Sequence, residues 1–90
     1  MTGLDARRTD ARLLDTAEGV LIALRRCGVS EAFDEILATA QQHHVAALGL
    51  ARALVDLACD QPAPAGDKFA DAARAAWGEL FERHPEPAAL

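Results

Sequence analysis

The sequence predicts an all-α chain, a small helical bundle, and three observations lead there. Each apolar run falls at helical spacing, as in Phe33, Ile36, Leu37 and Ala40, or Ala47, Leu50, Ala51, Leu54 and Leu57. No segment alternates polar and apolar residues as a strand does, and none is enriched in β-branched and aromatic residues. The runs are separated by short breaks of helix-ending chemistry, Cys27-Gly28-Val29-Ser30, His43-His44-Val45, and the segment from Asp60 to Gly66.

The first helix is expected from Thr9 or Asp10, either of which could cap it, to about Cys27, with Met1 to Arg8 frayed. Leu13, Ala17, Val20, Leu24 and Cys27 make one apolar stripe, flanked by Leu14, Leu21 and Gly28. That stripe is wider than one neighbouring helix needs. The opposite side holds Asp15, Glu18, Ile22, Arg25 and Arg26. The two arginines near the helix end suit the negative pole of its dipole, which is a sufficient structural reason for them.

Gly28 is expected to end the first helix and Ser30 to cap the second, which runs from about Glu31 to His43. Glu31, Asp34 and Glu35 occupy its first turns, as the dipole prefers, on a face expected to be solvated. The third helix is expected over about Ala46 to Cys59. Gly49 inside it costs about 1 kcal/mol relative to Ala, which a close helix crossing would explain. Two prolines and a glycine make residues 61 to 66 a loop. A fourth helix follows from about Asp67 to Arg83, with Phe69, Ala73, Ala76, Trp77, Leu80 and Phe81 on its apolar side. Trp77 and Phe81 are expected to dock on the preceding helices or on a second copy, since no basic cluster surrounds them to favour base stacking. His84-Pro85-Glu86-Pro87 stops that helix, and the tail beyond it is expected to be disordered. The chain thus divides into residues 1–60, a loop at 61–66, and a C-terminal helix and tail at 67–90.

Composition narrows the function classes. With 90 residues this is one domain, too small to bury a large core. Hydrophobic residues make up 51% of it and aromatic residues only 4%, so its apolar content is mainly Ala, Leu and Val. Such a core buries little area per residue, and a homodimer sharing its apolar faces is expected. Leu13, Ala17, Val20, Leu24, Phe33, Leu37, Leu50, Leu54, Trp77 and Phe81 are the expected core and dimer residues. No run of apolar residues is long enough to span a membrane, and the charged N-terminus does not match a signal peptide, so a cytoplasmic location is expected. Cys27 and Cys59 stand in no metal-ligand spacing and read as reduced thiols. Adjacent His43 and His44 point apart on a helix end and make no shared ligand set. Ser30, the sole serine, reads as a cap, and no phosphate-binding glycine loop is present. Neither an enzyme nor a cofactor is expected.

The ordered set of small and apolar residues resembles the ANTAR domain, an RNA-binding output module of bacterial antitermination regulators. Ala17 and Gly19 followed by Val20-Leu21 carry the family's Ala-x-Gly-apolar-apolar pattern. Gly28-Val29-Ser30, Ala32-Phe33, Ile36-Leu37, Ala40, Ala51 and Leu54-Val55 continue it over about residues 16 to 56. The resemblance implies a three-helix domain that binds paired RNA hairpins in a transcript leader, often as a dimer, and prevents termination. Members usually follow a receiver or other sensor domain. No receiver is expected before the first helix here, nor its phosphorylation switch, and a sensor protein is among the candidate partners.

Two departures bear on RNA binding. Glu18 stands where many members have Lys or Gln, and His43-His44-Val45-Ala46-Ala47 where the family commonly has Asn followed by Arg or Lys. No Lys or Arg occurs between Arg26 and Arg52, and the net charge is −5, unlike a typical basic nucleic-acid binder. The candidate RNA surface is therefore Arg25 and Arg26 with His43, His44 and Arg52. The alternative is a helical dimerisation or interaction module that keeps the fold and has lost the RNA.

Overall fold

A computed structural model describes the backbone of residues 3–82 and the side chains of residues 8–82. It contains four helices and, among the described residues, no strand: α1 (Gly3–Arg25), α2 (Val29–His43), α3 (Ala47–Ala58) and α4 (Lys68–Glu82). The fates expected for Met1, Thr2, Arg83 and the tail from His84 fall outside the described residues.

Helix α1 starts six or more residues before the expected cap. Leu4, Ala6, Arg7 and Arg8 are good helix formers, so Thr9 and Asp10 lie inside the helix and do not begin it. At 23 residues it is about 35 Å long. Its early part, from Arg8 to Arg12, is exposed.

The junction after α1 also differs from expectation. The left-handed residue that closes α1 is Arg26 (φ 57°), and Gly28 opens α2 as its N-cap in an extended conformation. Ser30 lies inside α2. Glu31, one turn in, accepts the Gly28 N–H at 2.8 Å through Oε1, satisfying an N–H that the helix itself leaves free. At the far end of α2, His44 is left-handed (φ 56°). Val45 N–H donates to Ala40 O and His44 N–H to Gln41 O, the paired bonds of a Schellman ending. Asp60 (φ 58°) closes α3 in the same way, with Gln61 N–H donating to Asp56 O and Asp60 N–H to Leu57 O. The proline-rich loop then leads to Asp67. Its Oδ1 accepts from the N–H groups of Phe69 and Ala70 and so caps α4.

Helix α3 is central: it packs against both α1 and α4, with smaller contacts between α2 and each of the others. The core is Ala17 and Leu21 of α1, Ala32, Ile36 and Ala40 of α2, Leu50, Ala51, Ala53 and Leu54 of α3, and Ala72, Ala73 and Trp77 of α4. Seven of these twelve are alanines, so the helices approach closely and most of the buried volume falls to five residues, Trp77, Leu21, Ile36, Leu50 and Leu54. Trp77 is docked within its own chain, with Phe69, Leu80 and Phe81 half-buried against the same core. Gly49 lies at the α3–α4 crossing, where a side chain would overlap the Phe69 ring.

Several expected core positions are corrected. Phe33 and Leu37 are 36% and 38% exposed. Helix α2 instead turns its smaller stripe, Ala32, Ile36, Thr39 and Ala40, to the core. On α1 the buried line is Ala17, Glu18 and Leu21, while Leu13, Val20 and Leu24 are half-buried beside it. Glu18, expected on the solvent side, is only 8% exposed, and Ile22 is half-buried against the core. Cys27 is half-buried and Cys59 exposed, both as free thiols.

Candidate nucleic-acid interface

The cations expected to face RNA sit at two corners of the fold and on one helix flank. Arg25 and Arg26 end α1, His43 and His44 end α2, and Arg52 lies midway along α3. The 15 residues of α2 separate the first two pairs by about 20 Å. Arg25 and Arg26 therefore stand a helix length away from His43 and His44.

Arg25 is not a free cation. Its Nε–H lies 3.0 Å from both carboxylate oxygens of Glu35, and its Nη2 lies 2.9 Å from Oε2. This side-on fork is the strong geometry for a guanidinium on a carboxylate. Glu35 was expected to be solvated. It is instead only 25% exposed and held from a second side, because the Trp77 indole N–H donates to its Oε2 at 2.7 Å. One carboxylate thus joins α1, α2 and α4. Trp77 is completely buried, and a buried indole N–H requires an acceptor.

Arg26 is exposed beside that pair, and its left-handed backbone turns the chain toward α2. His43 is half-buried, whereas His44 is exposed on the left-handed residue. Arg52 is exposed, because its neighbours Ala51 and Ala53 face the core. Arg8 and Arg12, outside the expected set, are exposed one turn apart on α1. Their four-residue spacing signals a shared face, but that signal carries weight only if the helix reaches back past Thr9.

No group of three or more metal-ligating side chains occurs among the described residues. A cleft beside the proline-rich loop, lined by residues such as Leu57, Pro62, Pro64 and Arg74, holds about 60 Å³. Ligand pockets start at about 300 Å³. No described helix is long and apolar enough to cross a membrane.

The family model of the ANTAR domain matches residues 2–55. The chain belongs to the ANTAR family. The ANTAR match takes in the whole of α1, earlier than the sequence motif alone reaches, together with α2 and most of α3. It ends before the proline-rich loop, so α4 lies outside it. No curated protein and no solved structure is significantly similar to the chain. ANTAR domains are regulatory RNA-binding modules, and their motif glycine, Gly19, is exposed here on α1 with open space around it.

Proposed function

We propose that this protein is a bacterial, cytoplasmic RNA-binding regulator that recognises hairpins in transcript leaders and prevents transcription termination. Membership of the ANTAR family carries the reading. On this reading residues 1–60 form the RNA-binding unit, 61–66 a joint, and 67–90 an appended helix and tail. The exposed Arg26 and Arg52 supply phosphate contacts, with His44 beside them as a polar contact, helped by Arg8 and Arg12 on α1. The protein works as a homodimer, and a separate sensor protein supplies its signal. The test is direct binding of the purified chain to tandem-hairpin leader RNAs across a salt series. Affinity should fall with rising salt, because phosphate contacts release counterions. No binding to any hairpin at low salt would reject the reading.

A second reading is supported by a specific observation. Val29, Phe33 and Leu37 recur every four residues on α2 and are 62%, 36% and 38% exposed. An apolar stripe on an otherwise acidic helix suits a protein partner better than a phosphate backbone. A helical interaction module that keeps the ANTAR fold without RNA binding would use it, and it would bind its partner with little dependence on salt.

A further inference from the structure

Helix α4 lies outside the family match, yet it controls the environment of one arginine on the candidate RNA surface. The chain of contacts is short. Trp77 is completely buried, and Glu35 is the acceptor of its N–H. Glu35 places both oxygens against Arg25. While α4 is docked, Glu35 cannot swing away without leaving a buried donor unpaired, which is unfavourable. We propose that α4 is a built-in brake on RNA binding: Trp77 holds Glu35 on Arg25 and so withholds Arg25 from phosphate. Trp77 and Glu35 are positioning residues in this scheme, and Arg25 is a latent contact. The RNA consequence rests on the function proposed above, whereas the clamp does not.

Release requires α4 to leave the α2–α3 surface. The joint allows it. Asp60 to Gly66 is exposed throughout, and Asp67 caps α4 locally through Phe69 and Ala70. The helix can therefore separate as a unit, an opening of lower cost than global unfolding. Once it has left, Glu35 loses the bond that fixes its rotamer, and a phosphate can compete for Arg25.

Glu35→Gln tests the brake without undocking α4. Its amide oxygen can still accept from Trp77, while the charge opposite Arg25 is removed. Asp34→Asn changes net charge equally on a neighbouring exposed residue, while Arg25 keeps its bonds to Glu35, and serves as the control. Glu35→Gln should bind leader hairpins on the order of tenfold more tightly at 50 mM salt, and its log K against log salt should steepen by about 0.7–0.9. Adding Arg25→Ala to Glu35→Gln should return both values to those of the parent. If Glu35→Gln gains no more than Asp34→Asn, the brake is overturned.

A second measurement needs no RNA. Solvent exchange of the Arg25 Nε–H, followed by nuclear magnetic resonance, should be slow in the parent and at least several-fold faster in Trp77→Phe, which keeps a buried ring and loses the donor. If neither the parent nor any variant binds hairpin RNA, the proposed function fails, and the clamp is judged on exchange alone. Unchanged exchange in Trp77→Phe overturns it.

Discussion

Gly49 of α3 lies against the Phe69 ring of α4, so close that a Cβ on Gly49 would overlap three ring carbons. An alanine normally strengthens a helix interior by about 1 kcal/mol over glycine. Here it must displace an aromatic ring packed on the core, and overpacking costs about 1–3 kcal/mol. The second effect should win. Gly49→Ala should lower the melting temperature by several degrees, and the loss should disappear in a Phe69→Ala background, where the ring is gone. A melting temperature that rises in the single variant would show that the ring yields freely.

Phe33 and Leu54 differ in burial although both sit on apolar helical stripes. Leu54→Ala should cost about 2–5 kcal/mol, as for a filled core site. Phe33→Ala should cost only about 1–2 kcal/mol within one chain, since much of the ring already meets water. Urea titration of both variants tests the contrast, and equal losses would contradict it.

The same exposed stripe bears on the proposed homodimer. Sedimentation at micromolar concentration should show a dimer, and Phe33→Ala with Leu37→Ala should shift it toward monomer. The melting temperature of the parent should rise with protein concentration, as coupling of folding to association requires. A monomer at all concentrations would leave the stripe for another partner.

His44 holds a left-handed backbone that glycine adopts freely. His44→Gly should be more stable than His44→Ala by about 1 kcal/mol, because alanine keeps the Cβ penalty and glycine does not. Paired thermal melts of the two variants measure this difference directly. Equal stabilities would mean that the helix end relaxes out of the left-handed state.

Arg26 and Arg52 are both exposed. Replacing both with alanine should weaken binding to all hairpins alike and flatten the salt slope by about 1.4–1.8. A change in which hairpin is preferred would instead assign one of them to base recognition.

Helical spacing, with breaks at Gly28, at His43-His44-Val45 and at the proline-rich loop, located the four described helices, and the ordered small residues pointed to the family. Periodicity did not decide which of two stripes on α2 faces inward. Ile36 and Ala40 serve both, and Ala32, which turns inward, carries a weaker hydrophobic signal than Phe33 and Leu37. Its advantage is close helix approach, which is a property of the neighbour. Glu18 looked solvated because it sits among Asp15, Arg25 and Arg26, yet Ala17 and Leu21 set the buried line beside it. The start of α1 was missed because Thr9 and Asp10 are good caps, although the residues before them also favour a helix. The bond between Glu35 and Trp77 spans 42 positions and has no local signature.

Trp77 is the sole tryptophan, and the chain contains no tyrosine. Its near-ultraviolet absorption and its emission therefore come almost wholly from one indole, sealed from water and bonded to one carboxylate at the seam between α2 and α4. The protein carries its own optical gauge at that seam. Any red shift in its fluorescence reports water or a changed charge reaching a single known position, with no label and no second chromophore to subtract.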